Sequence, residues 1–132
     1  MTKDEFMKKY NSRIFYGDSS IYNPLALYGI TCNDGWLNII YTCAEELCKI
    51  DLEERVKFLQ IKEKFGGLRF YYTILDYNKE FDYLLYIMCK NIVSKAELLA
   101  NETCEYCGER GTKKIIKGTM ITACPICAAN KS

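Results

Sequence analysis

Histidine is absent from this chain of 132 residues. The absence excludes Ser-His-Asp and Cys-His catalysis and every histidine-ligated metal site, and it removes the side chain best suited to proton transfer near neutral pH. Proline and glycine are also scarce, with 2 and 8 residues, so the composition is not that of a disordered or fibrous protein. We therefore expect a small folded protein that is not an enzyme.

The chain also lacks an excess of either charge and any long apolar run. Lysine and arginine total 18 against 17 aspartates and glutamates, which gives no bulk attraction to nucleic acid or to an anionic membrane. No apolar run approaches the ~18 residues of a membrane-spanning helix, and the polar first residues do not form a secretory signal. These absences predict a cytosolic protein without membrane association.

Cysteine, in contrast, is abundant, with 8 residues. Four of them form two Cys-x-x-Cys pairs that are 16 residues apart, namely Cys104, Cys107, Cys124 and Cys127. This spacing is typical of a zinc ribbon, in which each pair places two thiolates on one tight turn. Because four thiolates leave no position open for water, the pattern predicts one structural zinc ion.

The alternative for the second pair, CPIC, is a redox-active dithiol of the thioredoxin type. Such a motif belongs to a strand-to-helix junction within a βαβ unit, and residues 103–132 are too few to build one. Of the other four cysteines, three fall inside apolar helical patterns and are predicted to be small core residues: Cys43, Cys48 and Cys89. The pattern assigns no role to Cys32.

Hydrophobic periodicity predicts an α+β fold. Apolar residues at helical spacing predict a short helix within 2–16, a second from about 36 to 50, with Asn33 or Asp34 as its cap, and a long helix over 79–100. Residues 16–35 read as irregular chain, and 55–75 read as two strands joined at a pair of glycines. We expect helices packed on a small antiparallel sheet, with an α+β domain over 1–102 and a zinc-ribbon module over 103–132 packed on the last long helix.

The same periodicity predicts which side chains form the core between the two main helices and the hairpin. These are Trp36, Ile39, Ile40, Leu47, Phe81, Leu84, Leu85, Met88 and Ile92.

Two stretches of the chain are locally basic. Residues 55–69 carry five cations against the single acid Glu63, and residues 110–117 carry four cations and no acid. Glycines within the first stretch would let a phosphate or a partner backbone approach closely. The alternative is that the cations protect a sheet edge and the glycines only turn the chain. The candidate partner-binding residues are Lys62, Lys64, Arg69, Lys113 and Lys114.

Five short segments carry a resemblance to a known family. They are an Asp-Gly-Trp step at 34–36, the run KEKFGGLRFY at 62–71, an Ala-Glu pair at 96–97 and the two Cys-x-x-Cys pairs. Over residues 32–128 the chain resembles a family of small proteins of bacteriophages and prophages. It is also similar in size and expected metal content to a zinc-containing type II-A anti-CRISPR protein.

The resemblance implies a phage-encoded inhibitor of a bacterial defence system that acts by stoichiometric binding in the cytoplasm of the infected host. Its expected partner is the type II CRISPR effector nuclease, and the chain's 11 tyrosines and 6 phenylalanines are residue types that anchor protein interfaces. Two alternatives stay open. One is a zinc-ribbon protein that binds nucleic acid through the basic stretches, and the other is a protein that sequesters a cyclic-nucleotide defence signal.

Overall fold

The chain folds into helices packed on a small antiparallel hairpin, followed by a second hairpin that carries the paired cysteines. The computed structural model describes residues 1–17 and 22–131. In this part of the chain the elements are α1 (Lys3–Lys9), α2 (Pro24–Tyr28), α3 (Leu37–Ile50), β1 (Val56–Lys64), β2 (Gly67–Ile74), α4 (Lys79–Ala100), β3 (Thr112–Ile116), β4 (Thr119–Ala123) and α5 (Pro125–Lys131). The predicted α+β fold is confirmed. None of the helices so described has the length and hydropathy to cross a membrane.

The amino-terminal helix lies within the predicted range 2–16 and occupies its first part. Thr2 and Glu5 form a reciprocal capping box at the start of α1, but the helix ends at Lys9 and a 3₁₀ turn over Asn11–Arg13 follows. Of the segment expected to be irregular, residues 24–28 form α2, with Pro24 at its first turn, where proline's missing N–H costs nothing. Residues 18–21 lie outside the described part of the chain.

The β1–β2 hairpin turns through two residues, Phe65 and Gly66, which both have positive φ values, 52° and 78°. This is the combination that a type I′ turn requires. Strand alternation then divides the hairpin into two faces. Its inner face buries apolar side chains, among them Ile61, Leu68 and Phe70, whereas the outer face carries the cross-strand pair Lys62 and Arg69.

An aromatic cluster joins α1, α3 and the hairpin. Phe6 of α1 packs edge-on against Tyr41 of α3, with ring centroids 5.1 Å apart, and Phe58 of β1 packs edge-on against Phe70 of β2.

The core prediction is confirmed for α3 and the residue before it, since Trp36, Ile39, Ile40 and Leu47 are all buried.

The core prediction is wrong for α4. Phe81, Leu84 and Met88 are 82%, 70% and 38% exposed, and Leu85 and Ile92 are only partly buried. The face that α4 buries is turned by about a quarter of a turn from the predicted one. It consists mainly of small residues: Asp82, Cys89, Val93, Ala96 and Ala100. Small side chains let α4 approach both α3 and β2 closely.

Polar contacts fix this orientation of α4 at both ends. Near its start, Arg55 donates two hydrogen bonds to the carboxylate of Asp82, of 2.8 and 2.6 Å. Together with the backbone N–H of Asn78, this pairing lowers the pKa of Asp82 to about 2. Near its end, Glu97 accepts a hydrogen bond from the backbone N–H of Phe70 in β2. These contacts require Asp82 and Glu97 to face the sheet, which turns Leu84 toward solvent.

A buried ion pair links the turn after α1 to the start of β1. Arg13 and Asp51 are 6% and 3% exposed, and the Arg13 guanidinium donates to the carboxylate of Asp51. The same carboxylate accepts from the backbone N–H of Val56. The Asp51 carboxylate therefore lies buried between protein donors, and removing Arg13 would leave a buried charge without its cation.

Replacing Arg13 with methionine is expected to lower the free energy of unfolding by about 3–5 kcal/mol, because it leaves the Asp51 carboxylate buried without its cation. The matched control is Lys8→Met on the exposed side of α1, which should change it by no more than about 0.5 kcal/mol. Urea unfolding followed by circular dichroism measures both. Equal effects of the two variants would contradict this role of the pair.

Candidate metal centre and basic face

The four paired cysteines converge at one point. Their Sγ atoms all lie within 4.8 Å of one another, and those of Cys107 and Cys124 are 3.6 Å apart. Metal–sulfur bonds of about 2.3 Å in a tetrahedron would separate the sulfurs by about 3.8 Å, close to this arrangement. All the cysteines are free thiols. The donor set therefore fits a four-coordinate metal ion held by Cys104, Cys107, Cys124 and Cys127.

Tight turns hold each pair in place. In the first, the backbone N–H of Gly108 bonds to the carbonyl of Cys104 at 3.0 Å, and Gly108 has a φ of 82°, a conformation that glycine adopts without strain. In the second, α5 begins at Pro125, and the backbone N–H of Cys127 donates to the Sγ of Cys124 at 3.4 Å. β3 and β4 form the hairpin between the two pairs, so the predicted ribbon arrangement is present.

The electrostatics of the cluster favour a cation. Burial raises the pKa of Cys104, but backbone N–H groups at 106, 107 and 124 lower it more, and the net result is about 6. The backbone N–H of Cys127 similarly lowers the pKa of Cys124. Hydrogen bonding to Cys124 and the other neighbouring sulfurs, together with burial, raises the pKa of Cys127 to about 12. A divalent cation would offset the repulsion between neighbouring thiolates and let all four sulfurs be deprotonated.

The remaining cysteines belong to the core. Cys32, Cys43 and Cys89 are buried and Cys48 is half-buried. Burial raises the pKa of Cys43 to about 12 and that of Cys89 to about 11. These thiols are therefore protonated at neutral pH and are poor metal ligands, as the sequence predicted for Cys43, Cys48 and Cys89. Cys32, which the sequence left unassigned, is buried with them.

The first cysteine pair rests directly on Gly35. A Cβ atom at position 35 would lie only 2.2 Å from the carbonyl oxygen of Cys104 and 2.5 Å from that of Glu105. The backbone N–H of Gly35 donates to this second carbonyl at 2.7 Å. Only glycine permits such an approach of two backbones. The Asp-Gly-Trp step is therefore a docking surface for the segment that carries the four cysteines, residues 103–131, which we call the metal module.

Neighbouring residues extend this contact. Trp36 is fully buried, and its indole N–H donates to the carbonyl of Thr103 at 2.8 Å. Asn33 uses its backbone N–H and its side-chain amide to bond the buried carboxylate of Glu105. The predicted role of Asn33 or Asp34 as a helix cap is wrong, because the 3₁₀ turn over Asp34–Trp36 precedes α3 and neither side chain caps the helix.

The tip of the β1–β2 hairpin, Phe65 and Gly66, makes the second contact with the metal module. The hydroxyl of Thr122 in β4 donates to the carbonyl of Gly66 at 2.6 Å. A Cβ at position 66 would come within 3.0 Å of the Met120 side chain. The close approach expected at the glycine pair is therefore made by the protein's own β4.

This docking brings together some of the predicted partner-binding residues. Lys113 pairs with Thr122 across the β3–β4 hairpin, and its side chain reaches the β1–β2 hairpin. A Cβ atom added at Gly67 would lie 3.6 Å from the Nζ of Lys113 and 2.9 Å from the Nη1 of Arg69. Lys62 is the cross-strand partner of Arg69. Lys64, two residues further along β1, lies on the same face of the hairpin as Lys62. These four residues form the basic face: Lys62, Lys64, Arg69 and Lys113.

Lys114 does not join this face. It pairs with Ile121, which is buried within the metal module, so strand alternation directs Lys114 to the opposite side of β3 from Lys113.

No protein-family model, curated protein or solved structure matches this chain. The resemblance to phage proteins therefore stays a prediction. The sequence predicted the four thiols but not the contacts that hold them against the rest of the chain. Two glycines that make these contacts, Gly35 and Gly66, do belong to motifs on which the resemblance rests.

Cys104→Ser is expected to lose the bound metal almost completely, since a hydroxyl replaces a buried thiolate ligand. Cys43→Ser, which alters a buried core thiol, should keep it. Elemental analysis of the purified variants by mass spectrometry measures both. Retention of the metal by both variants would contradict the ligand assignment.

Gly35→Ala is expected to push the first cysteine turn away from the start of α3 and to lower the free energy of unfolding by about 1–3 kcal/mol. The emission of Trp36, the single tryptophan, should shift to longer wavelength because its indole loses Thr103. Gly29→Ala is the control, since no atom lies near that Cβ position and only its φ of 69° opposes the change. An unchanged Trp36 spectrum in Gly35→Ala would refute the docking.

Proposed function

We propose that this protein acts by stoichiometric binding of a protein partner, and that the partner is a bacterial defence protein, with the type II CRISPR effector nuclease as the first candidate. The partner class rests on the resemblance to phage proteins, which also makes the cytoplasm of the infected host the site of action. The binding mode rests on one observation, the apolar outer face of α4.

The α4 outer face consists of Phe81, Leu84 and Met88. These residues follow one another at i, i+3 and i+7, so they form one row along the helix, and they are 82%, 70% and 38% exposed. Single exposed apolar residues are ordinary on protein surfaces, but a contiguous row of large ones marks an interaction surface. Burial of this row against a partner would be strongly favourable.

Tyrosines lie at the same end of α4 but on a different side of the helix from the α4 outer face, and Tyr77 and Tyr86 lie toward β2. Tyr77, Tyr83 and Tyr86 are 43%, 56% and 37% exposed, and the rings of Tyr77 and Tyr86 lie edge to face with centroids 6.1 Å apart. Tyrosine offers a large apolar ring and a hydrogen-bonding hydroxyl at low conformational cost, which is why it is enriched at the energetic centres of interfaces. These tyrosines therefore form a second surface whose composition suits a protein partner, separate from the α4 outer face.

A shallow apolar groove continues the α4 outer face toward the end of the helix. It lies between α3 and α4, with a volume of about 160 Å³, and Ile39, Ile92 and Leu99 are among its lining residues. The ion pair between Lys95 and Glu46 spans the two helices beside it. An apolar centre with a charged border is the usual anatomy of a protein interface.

The metal centre supports a structural rather than a chemical role. Four thiolates complete a tetrahedron, so no coordination position remains for substrate or water. We propose that the ion is zinc, because soft thiolate ligands at tetrahedral distances select zinc or iron. One zinc per chain in a colourless protein is the expected result of elemental analysis, and a red, iron-containing protein would contradict it.

If the proposal holds, inhibition of the purified nuclease should saturate at a fixed molar ratio without turnover. Leu84→Glu should weaken inhibition at least about tenfold, because it places a charge in the apolar row. Leu52→Glu is the matched control, since Leu52 is 88% exposed on the loop after α3. Titration in a DNA-cleavage assay measures all three proteins.

Inhibition at strongly sub-stoichiometric protein would contradict the binding mode. Equal potency of Leu84→Glu and the wild type would exclude the α4 outer face as the contact.

A further inference from the structure

We propose that the basic face binds the phosphate backbone of single-stranded nucleic acid, with Tyr71 as a stacking residue beside it. This surface is distinct from the α4 outer face, because it lies on the opposite side of the β1–β2 hairpin from the side that α4 contacts.

The cations of the basic face converge. The positions of Arg69 Nη1 and Lys113 Nζ around Gly67, 2.9 and 3.6 Å from one point, place two positive groups side by side although they come from different hairpins. Lys62 lies directly across the strands from Arg69. Such a juxtaposition of like charges is unfavourable until an anion bridges it.

No acid neutralises these cations within the described part of the chain. The ion pairs there involve other lysines and arginines. Glu63, the one acid among the neighbouring strand residues, accepts a hydrogen bond from the backbone N–H of Gly66. Strand alternation also places Glu63 opposite the buried Leu68, on the inner side of the hairpin.

An exposed aromatic ring lies next to the cations on the same strand. Tyr71 is two residues beyond Arg69 in β2, so it shares the outer face, and it is 40% exposed. Phe65, at the hairpin tip, is 72% exposed, and the ammonium of Lys64 lies 5.7 Å from the centre of its ring. Cations that follow a backbone, interleaved with rings on which bases stack, are the pattern of single-strand binding.

Single-stranded nucleic acid fits this pattern better than a duplex or an acidic protein. A duplex keeps its bases stacked on one another and offers no base to Tyr71. An acidic peptide would satisfy the cations but has no bases to stack on the ring. The near-neutral net charge of +1 confines the attraction to this face, so binding should be weak and strongly dependent on salt.

Fluorescence anisotropy with a labelled 15-nucleotide oligothymidylate tests the proposal. The wild type should bind at low salt with an affinity that falls steeply as salt increases. Lys113→Glu should weaken binding about tenfold and reduce the salt slope by about 1. Lys114→Glu makes the same charge change one residue along β3, on the opposite side, and should have a much smaller effect.

The ring is tested in the same assay with Tyr71→Leu, which should weaken binding about tenfold. Tyr28→Leu, at a tyrosine that is 65% exposed on α2, is its control. Metal content and Trp36 emission should be unchanged in every variant, which separates loss of binding from loss of fold.

Three results would overturn the proposal. The first is no binding by the wild type at low salt, and the second is equal loss in Lys113→Glu and Lys114→Glu. The third is equal or tighter binding of a duplex or of oligoglutamate of the same charge.

Discussion

The absence of a side chain at residue 35 is the constraint on which the rest of this structure depends. Because Gly35 has no Cβ, the backbone at Cys104 and Glu105 can lie against it and accept its N–H, and the indole of Trp36 can reach Thr103. The first cysteine pair is thereby placed against the start of α3. A metal centre of four thiols could fold as an independent module, but here it is part of the same packed structure.

This seating has a consequence at the other end of the module. Once the first cysteine turn is fixed, β4 reaches the tip of the β1–β2 hairpin, where Thr122 bonds to Gly66. Lys113 then lies beside Arg69, and cations distant in sequence form one face. The segments that carry the resemblance to phage proteins are thus largely segments that contact one another. The Asp-Gly-Trp step and the glycine pair contact the metal module. Glu97 of the Ala-Glu pair accepts a hydrogen bond from Phe70, in the strand that follows the glycines.

The sequence was sufficient for the features that depend on local pattern. The bounds of α4, the β1–β2 hairpin and the four-thiol cluster follow from periodicity and spacing. The orientation of α4 did not follow, since this helix has two apolar rows. Periodicity favours the row with the larger residues, Phe81, Leu84 and Met88. The protein buries the row with Cys89, Val93 and Ala96, because small side chains allow close helix packing and because Arg55 draws Asp82 inward. Contacts between distant segments, such as Asn33 with Glu105, leave no periodic signal.

Hydrogen exchange measured by mass spectrometry, with and without added metal, tests most directly whether the metal module is docked against residues 33–36 and the β1–β2 hairpin tip. If the module is docked as described, removing the metal should reduce protection at residues 33–36 and at the β1–β2 hairpin tip as well as within the module, while the centre of α3 stays protected. Loss of protection confined to residues 103–131, with residues 33–36 unchanged, would contradict the account.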